Sequence, residues 1–173
     1  MRLLLLFIFF LLLNSCSEMK PEDYKNTKPI IKIEEYFQGN VKAWGMLQGR
    51  YGEVKRQFVA DMKGEFDGQN LILDETFIWN DGEKQERRWT IKKVGDNKYE
   101  GTAPDVVRIA KGVSFGSAFK FEYKLLVPYK DKKIKVRFDD WIFKQDERVA
   151  INRAIVSKFG FKVGELTVFF LRD

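Results

Sequence analysis

Val54-Lys55-Arg56-Gln57-Phe58-Val59-Ala60-Asp61-Met62-Lys63-Gly64-Glu65-Phe66 is the stretch on which the reading of this chain turns. Val54, Phe58, Ala60, Met62 and Phe66 share one parity, while Glu53, Lys55, Gln57, Asp61, Lys63 and Glu65 share the other. A period of two with one apolar and one charged side is the signature of a strand buried on one face. Asp67-Gly68 follows at once, a strong tight-turn signal.

The same pattern recurs on both sides of the turns that follow. Leu71, Leu73, Phe77 and Trp79 alternate as far as Asn80-Asp81-Gly82, and residues 84–94 make another candidate strand ending at Gly95-Asp96-Asn97. Phe115, Phe119, Phe121, Tyr123, Leu125 and Val127 read as one long run closed by Pro128. Ile134, Val136, Phe138 and Ile142 repeat the pattern before the charged turn from Lys144 to Arg148. Val149 to Phe159 and Val163 to Leu171 read as two further strands around Gly160. About nine or ten strands joined by short turns, with no long helix, predict an all-β antiparallel meander. Closure into a β-barrel removes the unpaired edges of such a meander; a two-sheet β-sandwich is the alternative.

The first residues obey different rules. Arg2 precedes the apolar run Leu3 to Leu13, which is too short to span a bilayer but suits a secretory signal peptide. Leu13-Asn14-Ser15-Cys16 resembles a bacterial lipobox, in which the cysteine is acylated after cleavage before it. The predicted organisation is therefore a signal peptide over 1–15, lipidated Cys16 with a flexible tether over 16–35, and one barrel domain over 36–173. Ile30, Ile31 and Ile33 are placed to begin docking on that domain. Several acyl chains give a stable membrane anchor where a single one does not. Ser17 after the cysteine, instead of the aspartate that retains lipoproteins at an inner membrane, favours the outer membrane of a Gram-negative envelope, facing the periplasm.

Composition narrows the chemistry. The 173 residues contain no histidine, so an imidazole base, a Ser-His-Asp triad or a His-bearing metal site is excluded. The single cysteine excludes disulfide frameworks. With 31 Lys+Arg against 25 Asp+Glu the net charge is +6; loss of residues 1–15, with Arg2, leaves 158 residues at +5. The lysines are dispersed through turns and outward parities, a pattern that suits a solvated surface near anionic headgroups and not a nucleic-acid groove.

Further residues carry a family resemblance: Tyr36-Phe37-Gln38-Gly39, Ala43-Trp44-Gly45, Gly52-Glu53-Val54 leading to Phe58, Asp67-Gly68, Arg88-Trp89 and Tyr99-Glu100-Gly101-Thr102-Ala103. The glycine-rich stretch Ala110 to Ala118, Asp139-Asp140-Trp141, Asn152-Arg153 and Lys158 to Thr167 complete it. In these the chain resembles a family of short bacterial lipoproteins of unknown function. The resemblance implies a lipocalin-like (calycin-like) barrel and no particular mechanism.

Charges that interrupt apolar parities are the candidate site. Arg56 falls among Val54, Phe58 and Ala60; Glu75 among Leu73, Phe77 and Trp79; Arg87 with Trp89 and Ile91; Asp140 with Phe138 and Ile142; and Arg153 with Ile151 and Ile155. Five inward charges must pair, neutralise, stay wet or meet a ligand. Three arginines against two acids leave one positive charge to match a fatty acid carboxylate or a phospholipid-like phosphate. The bland alternative is a structural ion-pair network. Trp44, Trp79, Trp89 and Trp141 either line a hydrophobic cavity or fill the barrel. Asp139 and Asp140 fall on opposite faces of a strand and cannot share one site. Ser114 with Lys111 or Lys120 is a dyad that almost any chain offers, and the small residues from Gly112 to Ala118 suit close backbone approach. No cofactor, metal or catalytic residue is called for. The expected protein is a non-enzymatic outer-membrane lipoprotein that binds or shuttles an apolar or lipid-like ligand; the alternative is an envelope scaffold with a filled barrel.

Overall fold

Turn chemistry fixes where each strand stops. In the computed structural model, which describes residues 19–173, the Asp67 side chain accepts hydrogen bonds from the amides of Gln69 and Asn70. Gly68 adopts φ +98, folding β2 (Val54–Phe66) onto β3 (Asn70–Trp79). Gly82 at φ +85 does the same between β3 and β4 (Lys84–Lys93). The apolar run and Cys16, on which the signal and lipidation readings rest, lie outside the described residues.

The remaining strands are β1 (Gly39–Gly49), β5 (Lys98–Thr102), β6 (Ala110–Phe115), β7 (Ala118–Tyr129), β8 (Lys132–Lys144), β9 (Val149–Lys158) and β10 (Phe161–Arg172). Each pairs antiparallel with the next, and β10 returns to β1, with Val41 opposite Arg172 and Gly49 opposite Gly164. Ten strands close into one barrel with no free edge, so the expected all-β barrel holds and the sandwich does not. The run expected from Phe115 to Val127 is two strands. Gly116, at φ +51, turns the chain, and Phe115 belongs to β6 with its side chain on the outer parity. The five-residue β5 is too short to announce itself by alternation.

The segment expected as a flexible tether is docked in its described part. The one-turn helix α1 (Ile33–Tyr36) lies across one end of the barrel, and the 3-10 turn before it (Pro21–Tyr24) packs Tyr24 on Trp141 and Phe143 of the outer wall beside that end. Ile31, Ile33, Tyr36 and Phe37 are buried there. Ile31 N–H donates to the Gly116 carbonyl at 2.8 Å, and the Ser114 hydroxyl donates to the Ile31 carbonyl at 2.7 Å. Glu34 is buried beside Lys93 (2.7 Å) and the Tyr99 hydroxyl (2.8 Å). Burial pushes its carboxyl up, and these donors outweigh it and hold it below the usual range. Two glycines make room for this plug: a Cβ on Gly64 would stand 1.8 Å from the Phe37 carbonyl, and one on Gly116 1.8 Å from that of Tyr24. The barrel thus has a closed end, where β1 begins and β10 finishes, and an open one. A self-closed sheet and its own plug give residues 19–173 all the parts of an independently folding domain.

Candidate ligand-binding cavity

Inward parity puts Phe58 and Met62 of β2, Leu73 and Phe77 of β3, Trp89 of β4 and Phe121 of β7 around one interior space. These side chains do not fill it. A cavity of about 1000 Å³ remains, floored by Ile33 and Phe37 of the plug and open at the far end. This is the upper end of the range for ligand pockets, and it removes the filled-barrel alternative. Its walls are aromatic: Phe58 meets Phe77 and Trp79 edge-on at 5.1 and 5.0 Å, and Tyr123 stacks on Phe138 at 5.2 Å. Gly45 and Gly101 leave room for two of these rings, since a Cβ there would run into Phe58 (2.2 Å) and Phe121 (2.5 Å).

Midway down the wall the lining turns polar. Glu75 and Arg87 are direct cross-strand partners on β3 and β4, with Arg87 Nη1 3.7 Å from Glu75 Oε2. That is too long for a hydrogen bond. Arg87 instead donates from Nε (3.1 Å) and Nη2 (2.9 Å) to Asp105 Oδ2, on the loop after β5. Across the cavity Asp140 accepts from Asn152 Nδ2 at 3.2 Å and from the Tyr123 hydroxyl. Burial pushes Glu75 up to about 7, against the pull of Arg87, and Asp140 up to about 6, against Tyr123 and Asn152. Burial also raises the Tyr123 hydroxyl well above its ordinary value, so it stays a donor. Glu75 Oε2 and Asp105 Oδ1 are buried acceptors that receive no hydrogen bond from the described residues.

Six of the eight expected site residues line this cavity. Glu75, Arg87, Asp140 and Trp89 are inside, and Trp79 lies toward the mouth. Arg56 reaches the mouth but not the interior cluster. It stacks on Trp79 (4.1 Å) and pairs with Asp81 and Glu83 at 2.7 and 2.9 Å. Arg153 is a correction: its side chain is 65% exposed and meets Glu165 outside the barrel, because the inward set of β9 is Ala150, Asn152, Ala154 and Val156. Trp44 is another. It is 40% exposed on the outer wall beside Phe169, while Val41, Ala43 and Gly45 point inward. Trp141 also faces outward, covered by Tyr24.

The expected surplus of positive charge inside is therefore absent. One guanidinium stands among three carboxyl groups, and two of its N–H donors already converge on Asp105 Oδ2. Sequence reading missed Asp105, Tyr123 and Asn152 as polar groups of the site. Asp105 lies in a stretch without any period. Asn152 has the parity opposite to Ile151 and Ile155 and so looked external.

The family described as "Protein of unknown function (DUF3833)" matches residues 10–172. No curated protein matches. Among solved structures, the S-type phycobiliprotein lyase CPES from Guillardia theta is similar, with a TM-score of 0.57 at 9% identity, covering 90% of this chain and 98% of that one. At that identity the likeness speaks for the lipocalin-like fold alone.

Proposed function

The chain belongs to the DUF3833 family of proteins of unknown function, and we propose that its barrel binds and carries an apolar, lipid-like ligand. The observation that carries this is the open cavity of about 1000 Å³, whose walls are largely aromatic and aliphatic. A soluble domain leaves that much apolar surface unfilled at a cost in stability, and an apolar guest would offset it. The ligand's polar end belongs beside Glu75, Asp105 and Asp140. With three carboxyls against one engaged guanidinium, the cluster favours groups that donate hydrogen bonds, such as hydroxyl, amide or amine. A free carboxylate or phosphate would meet repulsion above pH 7, where Glu75 and Asp140 are both ionised. Binding without turnover is the reading this arrangement supports. We place the carrier on the outer membrane, facing the periplasm, through lipid on Cys16.

Fluorescence titration of residues 19–173 with N-phenylnaphthylamine, a neutral apolar N–H donor, tests the cavity. Saturable binding is expected at pH 8, and laurate is expected to displace the dye better at pH 5.5 than at pH 8. The improvement on acidification should shrink in Glu75→Gln. Absence of saturable dye binding would remove the carrier reading. Metabolic palmitate labelling of the full chain that persists in Cys16→Ser would remove the anchor.

A further inference from the structure

The turns at the two ends of the barrel differ in kind. At the closed end they read Asp67-Gly68-Gln69, Gly95-Asp96-Asn97, Gly116-Ser117 and Gln145-Asp146-Glu147-Arg148, with no aromatic residue. At the mouth, three of the five strand connections carry or adjoin an exposed one. Tyr51 between β1 and β2 is 83% exposed, Phe159 between β9 and β10 is 88% exposed, Phe161 at the start of β10 is 76% exposed, and Tyr129 at the end of β7 is half exposed. Among the described residues, no aromatic ring stacks on Tyr51, Phe159 or Phe161. Each of the three tips instead sets a cation over its ring: Arg50 over Tyr51 (5.0 Å), Lys130 over Tyr129 (5.8 Å) and Lys158 over Phe159 (5.3 Å).

Phe159 is the most exposed of these rings. It has φ +52 in the two-residue turn with Gly160. A bulky residue with that backbone is uncommon, and Asn or Gly is the usual occupant of such a hairpin turn. The chain therefore holds a phenylalanine in an unfavourable backbone conformation where it contributes almost no burial. Folding gives no reason for it.

The charge on these tips identifies the occupant. Arg50, Lys55, Lys130, Lys132, Lys133, Lys158 and Lys162 stand against Glu53 and Asp131 over residues 50–55, 129–133 and 158–162, and the β3–β4 tip adds Asp81 and Glu83 against Lys84, so the rim stays basic. We infer that the mouth of the barrel docks on an anionic phospholipid bilayer, with Tyr51, Tyr129, Phe159 and Phe161 at headgroup depth and the lysines against lipid phosphates. Aromatic side chains favour that interface, and each nearby cation adds attraction to an anionic surface. Long lysine stems let the ammonium groups reach phosphate while the rings sit deeper. The docking stands on the tips alone; only the passage of a ligand between bilayer and cavity rests on the proposed carrier function.

Sedimentation of residues 19–173 with vesicles tests it. Binding is expected to phosphatidylcholine vesicles containing phosphatidylglycerol, weakening as salt rises, with little binding to phosphatidylcholine alone. Phe159→Asn/Phe161→Ser should bind about tenfold or more weakly, the loss expected for two rings that no longer enter the interface. Asn suits a positive φ, so thermal unfolding of this variant should match the wild type. Val94→Ser, at an exposed turn of the closed end, should bind as the wild type does. A wild type that ignores anionic vesicles at low salt, a double variant that binds normally, or an equal loss in Val94→Ser would each overturn the docking. N-phenylnaphthylamine binding in the same samples keeps the two ideas apart. Dye uptake without vesicle binding refutes docking only, and vesicle binding without dye uptake refutes the carrier only.

Discussion

Glu75 shows how a single buried acid can govern both stability and selectivity. Its carboxyl sits at about 7 in the folded barrel against an ordinary value of 4.5, so between these values the folded state holds a proton the unfolded chain lacks. Folding stability from this group is complete below pH 4.5 and is lost as pH rises through 7. Asp140, moved from 3.8 to about 6, acts in the same direction in a slightly lower window. Each loss is on the order of 3 kcal/mol by linkage. Acids held low by partners, such as Glu34 and Asp74, act the opposite way, and only below their own ordinary values. Urea unfolding should therefore show the protein weakening from pH 5 to pH 8. Glu75→Gln should be the more stable form at pH 8 and flatten that slope by about half, with Arg87 still held by Asp105. An unchanged slope would mean that Glu75 is ionised throughout. Arg56, Glu75, Arg87 and Asp140 were legible because a charge on an apolar parity breaks an otherwise regular alternation. Arg153 and Trp44 were misread because the outer wall is apolar as well. Ile151, Phe169, Trp44, Val59 and Ile78 lie side by side across five strands on the outside, so parity there does not distinguish in from out.

Among the elements, the plug is the one the sequence least announces. Residues 20–37 have no periodicity, and their burial depends on space provided far away in the chain by Gly64 and Gly116. A methyl on Gly64 would meet a backbone carbonyl, which cannot turn aside as a side chain can. Gly64→Ala should thus cost about 1–3 kcal/mol and loosen the plug before the barrel. Limited trypsin digestion followed by mass spectrometry should find early cleavage after Lys25 or Lys32 in this variant. Gly95→Ala, whose added carbon meets only Lys98 Cβ at 3.7 Å, should digest like the wild type. Equal patterns in both variants would show that the segment is held by other means. The strands of ten residues or more were readable by alternation except β1, whose eleven residues carry three glycines and an outward Trp44. Two-residue turns hid between them: Gly116-Ser117 leaves Phe115 and Phe119 in phase by number while they belong to different strands.

At the scale of the molecule, whether the barrel is hollow could not be read from composition. The same aromatic residues serve a packed core and a cavity wall, and only the summed geometry of ten tilted strands decides between them. The docked segment has a consequence for orientation. Met19 is held at the closed end through the Tyr24 hydroxyl, which packs with Trp141 and Phe143. Two residues separate it from Cys16, a reach of roughly 10 Å over three residue steps at full extension. β2 is 13 residues long, and a tilted strand of that length makes a wall roughly 30 Å high. A leash that short cannot carry an acyl chain around to the rim. An anchored molecule would stand with its tail in one leaflet and its opening turned to whatever lies opposite, a two-poled body suited to the gap between two membranes.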